Sequence, residues 1–260
     1  MKGLTFDLYQ QQDSPVHRLD PRVKVVLTIL VIISNVLVPD GSWLALLATW
    51  SFLLLATQLA RIRLGFVLSR SAIVLPFTLA AVTTAFSTPG RELLTLPWPE
   101  ITLTEPGLIH LGTIILRSWL SVQAAILLSA TTEYPDLIHA LRHLKLPGVL
   151  VSIISFMYRY LFVLISEARR LLRARASRSA HSATNKGGLG FKANIRVGGS
   201  MIGQLFLRSI ARAERVYRAM QSRGYRGHLL TLNPHVMKLA DWASLGGTAL
   251  YFLFIQLLVH

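Results

Sequence analysis

The chain has 260 residues, of which 52% are hydrophobic and only 15% carry a charge. Its 27 lysines and arginines exceed its 12 acids, giving a formal net charge of +15, and its mean hydropathy is +0.50. This composition excludes a disordered chain and a plain nucleic-acid binder, and it favours a basic membrane protein. The absence of cysteine excludes disulfides, cysteine-ligated metals and a thiol nucleophile.

Five apolar stretches approach the roughly 20 residues that a helix needs to cross a bilayer. They are residues 23–38, 42–60, 64–86, 108–130 and 239–259. The first is short, and Lys24 is expected to reach the membrane interface by snorkelling. Pro76 is expected to kink the third. Residues 1–12 lack the apolar core and cleavage site of a signal peptide, so we expect the N-terminus to be retained.

A sixth apolar run, residues 149–165, is interrupted by Tyr158-Arg159-Tyr160. Lysine and arginine are enriched on the cytoplasmic side of membrane proteins. If this run crossed the membrane after four earlier spans, the fifteen basic residues from Glu167 to Lys238 would lie outside the cell. We therefore predict a long helix that starts shallowly in the membrane and emerges into the cytoplasm near Glu167. The N-terminus is predicted to be cytoplasmic as well.

Two helices and a loop are predicted after Glu167, divided by a Gly/Asn/Lys-rich linker at residues 185–199. The second helix is amphipathic, and its basic surface carries Arg208, Arg212, Arg215 and Arg218. Contact with anionic lipid is the simplest role for such a basic surface. The apolar stripe is expected to pack in a buried seam and consists of Ile202, Leu205, Phe206, Ile210, Ala213, Val216, Tyr217 and Met220.

Both predicted helices end in the same short motif. The first ends in Arg173-Ala174-Arg175-Ala176-Ser177-Arg178-Ser179 and the second in Arg218-Ala219-Met220-Gln221-Ser222-Arg223-Gly224. The shared frame is Arg-Ala, two variable positions, Ser-Arg and a small residue. Small neighbours let a guanidinium project into a pocket, where its planar fork can bind a carboxylate. On spacing alone, a paired docking role and a chance repetition of abundant residues both remain open.

Other polar residues have ordinary structural explanations. His139 and His143 have the i, i+4 spacing of metal ligands, but Arg142 beside them opposes a cation, and an interfacial amphipathic helix is the favoured interpretation. Arg70 and Arg117 lie in apolar runs, where snorkelling or pairing inside the bundle competes with function. We assign no catalytic, cofactor-binding or metal-ligating residue, because the sequence has neither a phosphate-binding loop motif nor a nucleophile motif.

Four fragments occur, together with the two Ser-Arg motifs, in an order typical of one family. They are residues 16–24 (VHRLDPRVK), 137–147 (LIHALRHLKLP), 156–160 (FMYRY) and 167–170 (EARR). Each fragment is short, but the series covers nearly the whole chain. In this order they resemble the transmembrane T components of energy-coupling factor (ECF) transporters, the EcfT/CbiQ family, and most closely its cobalt type, CbiQ.

The resemblance implies an all-α integral membrane protein with about five transmembrane helices and a cytoplasmic coupling domain of long crossed amphipathic helices. Residues 1–130 would hold four transmembrane helices, residues 131–238 the coupling domain with long helices at about 148–180 and 200–224, and residues 239–260 the C-terminal transmembrane helix. In the family, the coupling helices end in arginine motifs that dock on ATPases. By position these are Ser177-Arg178-Ser179 and Ser222-Arg223-Gly224, with Ser179 where the family often has glycine.

The implied function is a non-catalytic scaffold in the cell membrane of a bacterium or archaeon. It would couple two ABC ATPases, CbiO/EcfA-like, to uptake through a substrate-binding S component, CbiM/CbiN-like if the cargo is cobalt, with nickel as the other candidate. The ATPases would bind ATP and Mg²⁺, and this chain would bind no cofactor. The chain would also contact the lipid bilayer, and it is not expected to bind nucleic acid. The alternative is a membrane enzyme or lipid-binding protein that holds lipid phosphates with its arginine clusters. An enzyme predicts turnover by the isolated chain, whereas a scaffold predicts copurification with ATPases.

Overall fold

The computed structural model describes residues 9–74, 76, 79–83, 91–97, 100–144, 146–178, 191–227 and 237–259. The chain divides into two compact units, Met1–Leu144 together with Pro234–His260, and Lys145–Asn233. In chain order the helices are α1 (Pro21–Leu37), α2 (Trp43–Leu59), α3 (Leu64–Ser71), α4 (Glu105–Thr131), α5 (Tyr134–His143), α6 (Gly148–Arg178), α7 (Phe191–Ser222) and α8 (Leu239–Val259). The predicted all-α membrane class is confirmed. The described residues add one short hairpin to it, in which β1 (Glu92–Pro97) pairs antiparallel with β2 (Glu100–Thr104).

Local sequence signals explain where two central helices begin. At α1, the Asp20 side chain accepts a hydrogen bond from the Arg22 amide, and Pro21 follows at the first helical position. At α4, the Thr104 hydroxyl accepts from the Gly107 amide. Small polar caps satisfy backbone donors that have no partner within the helix, and proline has no such donor to satisfy. The two caps therefore fix the starts of the helices on which the first unit is built.

The core of the first unit lies where α1, α2, α4 and α8 meet. Leu120 of α4 is 1% exposed and packs with Leu46 and Leu53 of α2 and with Phe252 of α8. A second cluster joins the end of α2 and the start of α3 to the C-terminal half of α4. Close packing extends to Gly112, where a Cβ atom would lie 2.9 Å from the Trp43 indole. Helix α4 is thus the element against which α1, α2 and α3 pack, while α5 and α8 pack mainly on α1.

The third predicted span, residues 64–86, is not one continuous helix. Helix α3 ends at Ser71 and is followed by short 3-10 helices at Ala72–Val74 and Leu79–Thr83. Pro76 lies between them, and proline removes a backbone donor and clashes with the preceding turn. The sequence predicted a kinked but continuous helix at this proline, whereas the structure has a short α-helix followed by two 3-10 segments. Residues 75, 77, 78 and 84–86 of that span lie outside the described residues.

Three helices in the described part of the chain are long and apolar enough to cross a membrane: α4, α6 and α8. Helix α2 and the segment Leu64–Val74 are shorter apolar helices. These findings support a membrane protein. Helix α6 is among the three, so the prediction that residues 149–165 enter the membrane only shallowly rests on the distribution of charge.

The second unit is built on the two longest helices, α6 and α7. Contacts between them pair Glu167 with Arg208 and Arg175 with Asn194, and Phe156 of α6 contacts Tyr225, three residues beyond the end of α7. Early residues of one helix meet late residues of the other, so the helices run antiparallel. Residues 191–199, predicted as part of the linker, belong to α7. The Asn194 side chain accepts a hydrogen bond from Arg175 at 2.7 Å, a tertiary contact that helps offset the low helix propensity of glycine and asparagine here.

Candidate coupling site

The first Ser-Arg motif forms the last turn of α6. Ser177 and Arg178 are both exposed, and the Ser177 hydroxyl donates a hydrogen bond to the Ala174 carbonyl at 3.0 Å. This bond occupies the serine within its own helix, so Arg178 is the group of the motif that is free to reach outward. Ser179, the third residue predicted for docking, lies outside the described residues.

The second motif ends α7 with a well-defined backbone cap. The Ser222 hydroxyl donates to the Ala219 carbonyl at 2.9 Å, the same bond to the residue three positions earlier that Ser177 makes. The Gly224 amide donates to the Gln221 carbonyl and the Tyr225 amide to the Met220 carbonyl. Gly224 has φ +81°, a left-handed conformation that only glycine adopts at little cost. This is a Schellman cap, and it leaves Arg223 as the last residue before the chain turns away.

Neither motif arginine forms an ion pair with the described part of the chain, whereas one arginine earlier in the second repeat does. Arg178 and Arg223 are exposed, and Arg218 lies 3.7 Å from Glu214, four residues before it. An exposed guanidinium with small neighbours keeps its full set of donors available to a carboxylate on another protein. The two motif arginines therefore differ in surroundings from Arg218, although their charge is the same.

The two motifs lie at opposite ends of the helix pair. Tyr225, just after Arg223, contacts Phe156, with ring centroids 6.4 Å apart. Phe156 and Arg178 are separated along α6 by 22 residues, or about 33 Å at 1.5 Å per residue. One pocket cannot take both arginines at this separation. Binding of both arginines would therefore need two separate pockets, one for each motif.

The middle of the helix pair carries an ion cluster that sequence reasoning missed. Glu167 is only 8% exposed, and its carboxylate accepts hydrogen bonds from Arg170 of its own helix and, at 2.6 Å, from Arg208 of α7. Arg208 was assigned to the basic outer surface, but its guanidinium turns toward α6. The one available signal was that Glu167 and Glu214 are the only acids in a long basic segment.

The apolar stripe of α7 lines two grooves against α6 on either side of Glu167. The larger, about 690 Å³, is lined by Ile210, Ala213, Val216, Tyr217 and Met220 of the stripe, by Arg212, and by α6 residues from Val149 to Leu164. The smaller, about 290 Å³, is lined by Ile202 and Leu205 together with Leu171 and Leu172 of α6. Phe206 lines neither groove and is 63% exposed. Much of the stripe thus remains open, since Ile202 and Tyr217 are 71% and 52% exposed.

Lys24 does not snorkel to the interface as predicted. It is 7% exposed, and its ammonium donates to the carbonyls of His17 and Thr131, both at 3.0 Å. These bonds satisfy a buried cation and tie α1 to the end of α4. The two backbone carbonyls lie near helix ends, close enough to accept hydrogen bonds from the Lys24 ammonium. No local sequence pattern reveals this proximity.

The other N-terminal residues of the first family fragment join the same structure. The Asp20 amide donates to Asp241 of α8 at 2.9 Å. Partial burial lowers the pKa of His17, which keeps the ring neutral near pH 7. Its Nε2 can then donate to the Gln10 carbonyl at 3.0 Å while Nδ1 accepts from the Ser14 hydroxyl at 2.7 Å. This fragment thus connects α1 to α4 and α8 by hydrogen bonds, and it lies apart from the two arginine motifs in the sequence.

The remaining polar candidates have structural partners. Arg117 donates to the Val38 carbonyl and forms an ion pair with Asp40 at 2.9 Å. Arg70 lies over the Phe66 ring at 4.7 Å. The His139 and His143 rings contact each other with centroids 4.7 Å apart and planes tilted by 59°. Within the described ranges no group of three or more metal-ligating side chains gathers around them or elsewhere.

Sequence comparison shows which known proteins this chain is similar to. The model of the CbiQ family, described as cobalt transport protein, matches residues 12–234. An energy-coupling factor transporter transmembrane protein EcfT of Thermanaerovibrio acidaminovorans is 31% identical over 258 residues, covering 94% of this chain and 91% of that protein. The EcfT of Heliobacterium modesticaldum is 29% identical over 256 residues, covering 94% and 92%. An uncharacterized protein of Methanocaldococcus jannaschii is 29% identical over 249 residues, covering 94% and 82%.

The matched segment covers parts of both units and includes the buried Lys24 of α1 and the cap of α7 at Gly224. Members of this family are non-catalytic transmembrane components of transporters, so the membrane enzyme considered as the alternative is excluded. The chain belongs to the EcfT/CbiQ family and is a transmembrane component of an energy-coupling factor transporter.

Proposed function

We propose that this chain couples ATP hydrolysis by two ATPase subunits to the uptake of cobalt or nickel through an S component. The observation that carries the proposal is the placement of Arg178 and Arg223, both exposed, at the two ends of one antiparallel helix pair, in which α6 from Phe156 to Arg178 is about 33 Å long. Each arginine would dock in an acidic pocket of one ATPase. Movement of the ATPases would then reach the membrane through stiff helices, because the two ATPase states would contact the helix ends differently.

The distribution of charge supports a cytoplasmic location for the docking ends. Fifteen basic residues lie from Glu167 to Lys238, against two acids, and an excess of lysine and arginine marks the cytoplasmic side. In this orientation residues 131–238 form the coupling domain, between a membrane domain at residues 1–130 and a last span at residues 239–260. The ATPases would be CbiO/EcfA-like.

The larger groove between α6 and α7 supports contact with an apolar partner. It is lined mainly by aliphatic and aromatic side chains and is open to its surroundings. Extended apolar surfaces of this kind mark protein interfaces or membrane contacts. We assign the groove to the S component, which would be CbiM/CbiN-like if the cargo is cobalt.

The test is copurification from the native membrane, with identification of the bound chains and metal, followed by uptake measurements in vesicles. The proposal expects two ATPases and an S component to copurify, and ATP-driven uptake of cobalt or nickel by the complex. Binding of lipid phosphates by the isolated chain, without copurifying ATPases, would favour the alternative, in which the arginine clusters hold lipid phosphates. Uptake of a vitamin without uptake of either metal would refute the assignment of cargo while leaving the scaffold role intact.

A further inference from the structure

Glu167 makes the one ion-paired link between α6 and α7 in the described part of the chain. Its side chain is 10% exposed, although the arginines that it binds are mostly open: Arg170 is 66% and Arg208 53% exposed. Arg170 lies on the same helix, so its bond stabilises α6 alone. Only the bond to Arg208, at 2.6 Å, fixes one helix against the other.

The other contacts between the helices hold them less firmly. Arg175 donates to the amide oxygen of Asn194 in an exposed position, where water competes for both groups. Phe156 and Tyr225 meet edge to face with ring centroids 6.4 Å apart, toward the outer limit for an aromatic pair. Between these contacts and Glu167 lie the two open grooves. Close packing therefore does little to set the register of the pair.

The register matters because both docking arginines lie far from this link. Arg178 is 11 residues beyond Glu167, or about 17 Å, and Arg223 is 15 residues beyond Arg208, or about 23 Å. A rotation of about 10° at the link would move the two ends by about 3–4 Å over such lengths. Hydrogen bonds to a carboxylate do not tolerate a displacement of this size.

From this geometry we infer that Glu167 is a positioning residue, which acts through Arg208 to hold Arg178 and Arg223 at the separation that the two ATPases require. The inference rests on the proposed function. It goes beyond it by assigning the fixed separation to a single interhelical ion pair, whose removal leaves both docking motifs unchanged.

The chain offers a matched pair of variants for the test, Arg208→Gln and Arg170→Gln. Each removes one arginine from the same carboxylate, but only Arg208→Gln cuts the link between the helices. We expect Arg208→Gln to lower uptake per ATP hydrolysed by about two- to fivefold, the range expected for loss of a largely exposed ion pair. Arg170→Gln should leave this ratio near that of the wild type, and Arg208→Lys should restore part of it because the charge is kept.

A distance measurement separates positioning from simple neutralisation of Glu167. The chain has no cysteine, so spin labels at Leu172→Cys and Ile202→Cys, on facing walls of the smaller groove, report only the separation of the two helices. In the full chain reconstituted with its ATPases, the wild type should give one narrow distance distribution. Arg208→Gln should broaden or shift it, and Arg170→Gln should leave it unchanged.

Two outcomes would overturn the inference: equal effects of both glutamine variants on uptake per ATP, or an unchanged distance distribution in Arg208→Gln. Neither outcome touches the proposed function, since the wild-type chain would still bind ATPases and drive uptake. Conversely, a wild-type chain that binds no ATPase would refute the proposed function. The spin labels would then still report whether Arg208 holds the helices together.

Discussion

Replacing Arg178 and Arg223 by alanine, singly and together, tests whether two separate pockets exist. A desolvated arginine anchor at an interface contributes at least about 2 kcal/mol, so each single variant should weaken ATPase binding about 30-fold. Since the two residues lie at opposite ends of the helix pair, their effects should add. The double variant should lose about 4 kcal/mol, or about a thousandfold in affinity.

The matched controls are Arg173→Ala and Arg218→Ala, five residues earlier in each repeat. Arg218 makes an exposed i, i+4 ion pair with Glu214 at 3.7 Å, and its loss costs about 0.3–0.5 kcal/mol of helix stability. ATPase affinity should therefore fall by no more than about twofold in Arg218→Ala. Arg173 is exposed, and a change there is expected to fall within about 0.5 kcal/mol. All four single variants remove one positive charge, so general electrostatics predicts that they behave alike.

The assay is a titration of purified ATPases against the chain in lipid nanodiscs, with metal uptake measured in vesicles from the same preparation. Lysine at Arg178 or Arg223 should restore only part of the binding, because it keeps the charge but loses the bidentate fork. The double alanine variant should still insert at the wild-type level, since neither arginine has a packing role. Equal, modest losses in all four single variants, or a double variant no weaker than a single one, would refute separate docking and favour diffuse contact with lipid.

Cysteines placed at Ser182 and His260 should be labelled by impermeant reagents from opposite sides of the membrane, and labelling from the same side would contradict the proposed topology. Gly112→Ala should lower the free energy of unfolding in detergent by about 1 kcal/mol, because its Cβ would lie 2.9 Å from the tip of the Trp43 indole of α2, which is 43% exposed and must shift. Gly246→Ala, with open space around its Cβ position, is the control and should cause no loss; equal losses would refute the packing described for α4. Leu205→Asp should disrupt assembly of the transporter, measured by copurification, because it places a carboxylate in the smaller apolar groove; unchanged assembly would show that this groove is not a seam.

Local periodicity was sufficient to predict much of this fold. Apolar runs as long as a bilayer is thick correspond to α4 and α8, and steps of three and four residues placed Leu205 and Ile210 of α7 on the side that faces α6. The described part of α6 ends within the first Ser-Arg motif, and α7 ends at the second. These features depend on neighbours within one or two turns, which the sequence displays directly.

What could not be predicted depends on partners far along the chain. Arg208 finds its carboxylate 41 positions away, and Lys24 bonds a carbonyl 107 positions away. No periodic pattern encodes such pairs. The same limit explains the misjudged start of α7, where a contact from Arg175 to Asn194 accompanies helix in a segment whose composition predicted a loop.

The antiparallel course of α6 and α7 has a consequence for symmetry. Two antiparallel helices with the same terminal motif are related by an approximate two-fold axis, which here passes near the contact of Glu167 with Arg208. A dimer of identical subunits also carries a two-fold axis and presents two equivalent sites. A single, asymmetric membrane chain could thus engage a symmetric dimer at both sites with one kind of contact. Two different ATPases could bind in the same way if each kept the same arginine-binding pocket, even if the rest of their sequences differed.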